Sequence, residues 1–206
     1  MTTAGAIDFW FTMGSTYTCL TAMRLADIEH TNGITFRWHP FDFRKLLQEM
    51  NYFPFPAESP KTAYMWRDIE RRAAMYGIPV RLPAPYPIAD SFHANCVALL
   101  GLREGWGKAF IPVAYRRWFQ FGEENGGEPN LRAALAEIGQ DYDRVVETAR
   151  SVPVRRELEM QTDEARRLRL FGSPIFILDG EIFWGDDRLE DAISWARHGR
   201  VLHQAE

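Results

Sequence analysis

Cysteine is scarce in this sequence: Cys19 and Cys96, far apart, are the two in 206 residues. That excludes a disulfide framework and a thiolate-rich zinc site. A surplus of positive charge is missing too, with 24 Lys and Arg against 28 Asp and Glu and a net charge of −4. No electrostatic footprint for nucleic acid is present, and no nucleic-acid partner is expected. Apolar runs are short, none approaching the ~20 residues that span a bilayer, so no membrane partner is expected. No Lys or Arg precedes Arg24, and Asp8 interrupts the early apolar stretch, a pattern unlike a secretory signal. Together with the few cysteines this leads to the expectation of a cytoplasmic protein. The five histidines (His30, His39, His93, His198 and His203) lack metal-ligand spacing, and no metal site is expected.

What is present suits a globular protein: 46% hydrophobic and 25% charged residues, over a length that serves one large domain or two small ones. Ala6 to Phe11 is short, apolar and aromatic, as a buried strand should be. Gly14-Ser15-Thr16 breaks that pattern. From Tyr17 the apolar positions Leu20, Met23, Leu25 and Ile28 recur at helical spacing up to a cap at Asn32-Gly33. Ile34 to Phe41 alternates like a second strand. Then comes a run of helical patterns: 64–76, 91–102, 108–122, 130–139, 141–150 and 154–169. Pro174 to Leu178, Asp179-Gly180 and Glu181 to Trp184 read as a hairpin with a favoured two-residue turn. A final helix covers 188–197. The layout is βαβ, a helical block, then ββα. Without the block it is the order of an α/β, thioredoxin-like fold, with residues 1–50 and 170–206 as that domain and 51–169 as the helical insertion.

Chemistry points to the first strand–helix turn. Ser15 lies there, in the field of a helix N-terminus whose unpaired N–H groups favour an anion. Thioredoxin-type redox proteins hold C-x-x-C at this place. Here the four residues are Ser15-Thr16-Tyr17-Thr18, without sulfur at either end. Cys19, one helical turn past Ser15, more naturally points into packing. A hydroxyl with no adjacent base is a poor nucleophile. Ser15 is therefore either a plain N-cap or a hydrogen-bond donor to the thiolate of a bound thiol cofactor. Pro174 opens the hairpin strand. A thioredoxin-like layout places a cis-proline there, which turns the Ser173 backbone toward a peptide-like ligand. In Gly185-Asp186-Asp187-Arg188, the spacing of Asp187 and Glu190 is a capping-box pattern, and the same segment offers an amino-acid clamp at a helix start. Trp10, Phe11, Tyr17, Trp66, Tyr86 and Trp184 read singly as core and together as suited to a flat aromatic substrate.

The segments AIDFWFTMGSTYTCL (6–20), PKTAYMWRDIERRAAMYGIPV (60–80) and RLFGSPIFILDGEIFWGDDRLEDA (169–192) resemble the 2-hydroxychromene-2-carboxylate isomerase family. That family lies in the DsbA-like, kappa-class glutathione transferase superfamily. The resemblance covers nearly the whole chain and implies a thioredoxin fold with a helical insertion, a glutathione-dependent isomerase and a homodimer acting on a small aromatic substrate. Glutathione is the implied cofactor. In the sites that the resemblance implies, Ser15 bonds the glutathione sulfur, and Ser173-Pro174 pairs with the cysteinyl backbone. Asp186 and Asp187 hold the γ-glutamyl end, while Lys61 and Asn51 lie near the glycine end. Thr16 and Thr18 depart from the Ser-Pro-Tyr/Phe-Ser that many members carry. Kappa-type conjugation and a redox-inactive binding module are the alternatives.

With no C-x-x-C, the protein is expected to lack dithiol oxidase and reductase activity, and Cys19→Ala is expected to leave its turnover nearly intact. Insulin-reduction and turnover assays on the variant check both; a large loss in a folded Cys19→Ala protein would reassign the sulfur.

Overall fold

The computed structural model describes residues 6–202. A four-stranded sheet is built from β1 (Ile7–Phe11), β2 (Phe36–Pro40), β3 (Ile175–Leu178) and β4 (Glu181–Trp184), in the order β2-β1-β3-β4. β1 runs parallel to β2, with Phe9 opposite Trp38, and antiparallel to β3, with Phe9 opposite Phe176. β3 and β4 form the hairpin expected from Asp179-Gly180, whose φ values of 50° and 84° are those a tight two-residue turn requires.

Helices connect and cover the sheet: α1 (Thr16–Ala22), α2 (Leu25–Asn32), α3 (Phe43–Glu49), α4 (Pro60–Met75), α5 (Ser91–Glu104), α6 (Gly107–Arg116), α7 (Asn130–Glu137), α8 (Tyr142–Arg150), α9 (Val152–Arg167) and α10 (Leu189–His198). Pro112 lies inside α6, and the helix widens into a π-turn over Arg117–Phe121. None of the described helices is long and apolar enough to cross a membrane.

The period of two along β1 sends Ile7, Phe9 and Phe11 to one face and Trp10 to the other. The first face joins Phe36 and Phe176 to Val97, Phe110, Tyr115, Trp118 and Leu158, so sheet and helical block share one apolar core. The second face is smaller, with Trp10, Phe41, Leu46, Ala165, Leu170, Ile175 and Ile177.

The helical block also reaches the turn between β1 and α1, which is covered and so needs partners for its backbone polar groups. Asn95 of α5, fully buried, accepts from Met13 N–H at 2.8 Å and donates to Thr12 Oγ1 at 3.0 Å. Asn125 Nδ2 donates to Met13 O at 2.8 Å. Tyr115 OH donates to Thr12 O at 2.9 Å. These contacts span 82 to 112 residues of chain, and the block fixes in place a turn that also carries the local bond from Ser15 N–H to Thr12 O.

Three differences from the sequence pattern have local causes. The single helix expected over 17–32 is two, because the backbone tightens where Arg24 N donates to Thr21 O and the Arg24 side chain turns toward Asp186 and Glu190. α3 was not expected; its signal is Asp42, whose carboxylate caps Lys45 N–H while Leu46 goes into the core. The capping box at Asp187 and Glu190 does not form: residues 186–188 make a 3₁₀ turn, α10 begins after Arg188, and Glu190 is drawn to Arg24.

Asn95→Ala strands the buried Met13 N–H and Thr12 hydroxyl. It is expected to lower unfolding stability by about 1–3 kcal/mol, the cost of an unsatisfied buried group. Asn32→Ala, at a partly exposed helix end, should change it by less than about 0.5 kcal/mol. Urea denaturation of both variants measures the contrast.

Candidate active site

Ser15 is the N-cap of α1, with extended backbone (φ −86°, ψ 126°) and its Oγ accepting from Thr18 N–H at 3.3 Å. The N-cap reading therefore holds, and it is incomplete. The same hydroxyl donates to Ser173 O at 2.9 Å. A second bridge runs between Thr18 Oγ1 and Ser173 Oγ at 3.0 Å, and Thr12 N–H donates to Ser173 Oγ, also at 3.0 Å. Ser173–Pro174 is a cis peptide. Residues 158 positions apart in sequence thus meet as one hydroxyl–carbonyl cluster at the α1 N-terminus. Ser15 is half-buried, and its single donor proton is taken by Ser173 O. Thr18 was not marked as a site residue from sequence; its signal is its place three residues after Ser15.

Asp186 is reached through the far side of α1. It is 1% exposed, and its Oδ1 accepts from Thr21 Oγ1 at 3.0 Å and from Arg24 Nη2 at 2.9 Å. Its Oδ2 is buried without a hydrogen-bond partner among the described residues. Burial raises the carboxyl pKa above the usual range, opposed by the Arg24 charge, by hydrogen bonds from Arg24 and Thr21 and by the nearby Tyr76 hydroxyl. Arg24 also bonds Glu190 at 2.6 Å and stacks over Tyr76 with its guanidinium carbon 3.6 Å from the ring centre. Asp187 is far more exposed and pairs with Arg188 at 2.9 Å. Gly185, at φ 111°, allows this arrangement: a Cβ there would sit 2.5 Å from Asp187 Oδ1, and its N–H donates to Pro174 O.

α4 supplies the other flank. Thr16 Oγ1 bonds Met65 Sδ at 3.2 Å, and Tyr17 OH donates to Asp68 at 3.1 Å. Asp68 meets Arg72, and Arg72 reaches Asp187 at 3.7 Å. A polar chain thus links the start of α1 to Asp187. Lys61, one helical turn before Met65, donates to Tyr52 OH at 2.8 Å and lies over Phe55. Asn51 precedes Tyr52 with φ 49°. Of the residues singled out from the sequence, Ser15 and Ser173 are in direct contact, Asp187 is linked to the start of α1 through Arg72, Asp68 and Tyr17, and Lys61 meets Tyr52 and Phe55 apart from them.

Cys19 is fully buried, and burial together with the charge of Asp186 pushes its thiol well above the ordinary value. It packs, as the sequence suggested. The aromatic residues divide. Trp10 and Phe11 are core, and Trp184 stands against Phe171 beside Gly172. Tyr17, Trp66 and Tyr86 are partly exposed, with Trp66 edge-on to Tyr86 at 6.0 Å.

The Asp186–Arg24 pair sets a pH dependence. A folded carboxyl pKa above the unfolded value means that the folded state holds a proton the unfolded state has lost, so stability from this group falls as pH rises through that window. Arg24→Gln removes the charge that opposes the shift and widens the window. The variant should be less stable than the parent by about 3–5 kcal/mol at pH 7, the cost of breaking a buried pair, with a smaller deficit near pH 4. Denaturation at both pH values checks it; a deficit independent of pH would show that Asp186 is not the group responsible.

Comparison with known proteins agrees with this architecture. The model of the DsbA-like thioredoxin domain matches residues 6–193. A 2-hydroxychromene-2-carboxylate isomerase of Sphingobium xenophagum is 32% identical over 89% of this chain and 94% of its own. One from Pseudomonas putida is 28% identical over 89% and 90%. In fold, a solved 2-hydroxychromene-2-carboxylate isomerase superposes with a TM-score of 0.76 at 24% identity, covering 90% of this chain and 91% of that one. The cytosolic disulfide reductase DsbM of Pseudomonas aeruginosa, solved with GSH, superposes with 0.67 at 16% identity, covering 94% and 96%. A thioredoxin sheet with a helical block, a serine at the strand–helix turn and this depth of similarity place the chain in the DsbA-like thioredoxin family, among its 2-hydroxychromene-2-carboxylate isomerases.

Proposed function

We propose that this protein interconverts 2-hydroxychromene-2-carboxylate and trans-o-hydroxybenzylidenepyruvate in aromatic hydrocarbon degradation, with glutathione as its catalytic thiol, in the cytoplasm and as a homodimer. The observation that carries the reading is the Ser15 hydroxyl at the α1 N-terminus, 2.9 Å from Ser173 O, where no cysteine competes for the place of the sulfur.

The residues present fit glutathione. Asp186 Oδ2, buried and unpartnered, suits an ammonium, and the exposed Asp187 beside it adds negative charge for the γ-glutamyl end. Ser173 offers a backbone carbonyl for the cysteinyl N–H, and that exchange releases the Ser15 proton for the sulfur. Lys61 and Asn51 serve the glycine carboxylate. When bound, glutathione would supply a nucleophilic thiolate, the chemistry needed to make the substrate's alkene bond rotatable with nothing consumed. Ser15 donates a hydrogen bond where negative charge must be held, and the α1 amides add their dipoles. Tyr17, Trp66 and Tyr86 offer aromatic surface to a flat substrate.

Ser15→Ala should raise the pKa of the bound thiol and slow turnover roughly 10²-fold or more, the scale for losing one preorganised donor. Thiolate absorbance and turnover of the chromene acid measure it. Unchanged absorbance and rate would return Ser15 to a cap alone. Turnover of a halodinitrobenzene in place of the chromene acid would make the protein a conjugating transferase.

A further inference from the structure

A cavity of about 410 Å³ lies in the helical block between α5, α8 and α9, lined by Asp90, Phe92, His93, Cys96, Ala149, Arg150 and Arg155. It is separate from the Ser15 site. On α5, Asn95 faces Thr12 and Met13, and His93 is two residues away, about 200° round the helix, on the side of the cavity. His93 is 9% exposed, and its Nε2 has no hydrogen-bond partner among the described residues. Its backbone N–H is occupied by Asp90 Oδ1 at 2.9 Å, which uses that carboxylate as the α5 cap.

Arg150 and Arg155 stand exposed at the mouth. Neither makes an ion pair among the described residues, whereas Arg103 on α5 and Arg144 on α8 are paired with Glu157 and Glu104. Arg155 rests over the Phe92 ring at 5.0 Å. Both arginine charges reach His93 and, after burial, are what lower its pKa. Two arginines bring positive charge to the cavity against Asp90 in its lining, with the charges of Asp42 and Glu159 felt at Cys96 from outside it, and Phe92, Cys96 and Ala149 give it an apolar wall.

We infer that this cavity binds a small organic anion, a carboxylate on an apolar body, with Arg150 and Arg155 holding the charge, the free His93 ring nitrogen taking a further polar contact and Phe92 packing against the carbon skeleton. Guanidinium groups match a carboxylate in geometry as well as charge. The site stands independently of the reaction proposed above.

4-Fluorobenzoate is the probe, titrated by ¹⁹F NMR into the wild type, Ser15→Ala and the double variant Arg150→Gln/Arg155→Gln, with circular dichroism to confirm folding. Both arginines are exposed, so the double variant keeps the core intact. Saturable binding in the wild type and Ser15→Ala alike is expected, weakened about tenfold or more in the double variant, with His93 ring signals shifting on binding to the wild type. Inorganic phosphate should compete only weakly. Equal affinity in the double variant, no saturable binding to the wild type, or phosphate binding as tightly as fluorobenzoate would overturn the proposal.

Discussion

Thr12 and Met13, where β1 turns toward α1, are buried, and their backbone donors and acceptors must find partners within the protein. Asn95, Asn125 and Tyr115 close one side of the turn, and the Ser173 hydroxyl closes the other. Each of these bonds joins segments more than eighty residues apart, so the Ser15 hydroxyl is positioned by the assembled molecule. A free loop would not hold that donor in one place. The helical block thus does more than cover the sheet, since its buried amides and phenol define the geometry of the strand–helix junction.

The charged end of the site follows a different logic. Asp186 is buried against Arg24, and each of its oxygens has a separate fate: Oδ1 accepts from Arg24 and Thr21, while Oδ2 has no hydrogen-bond partner among the described residues. A lone pair left in that state costs stability, and a cationic ligand group removes the cost on binding. Asp187 stays near water, linked to Tyr17 through Arg72 and Asp68. The two adjacent aspartates therefore differ in environment, one preformed and one adjustable.

Much of this was legible in the sequence where the signal is local. The Asp179-Gly180 turn, the β1 alternation and the strand–helix break at Ser15 come from short-range chemistry, and each forms as read. Ser15 and Ser173 were both singled out, but their contact is a tertiary fact with no local signature. The capping box at Asp187 failed because Arg24, far away in sequence, captures Glu190 and Asp186. Asn95 and Tyr115 looked like ordinary helix residues, since nothing near them in the chain reveals that they satisfy a distant backbone. Long-range satisfaction of polar groups is the part that a linear pattern does not carry.

The central claim is that Ser15 gives up Ser173 O to hold a sulfur, and the most direct measurement is a crystal structure with glutathione bound. The account predicts the sulfur within hydrogen-bond reach of Ser15 Oγ, the ligand's cysteinyl N–H on Ser173 O and its ammonium on Asp186 Oδ2. Glutathione bound elsewhere, with Ser15 Oγ still on Ser173 O, would contradict it.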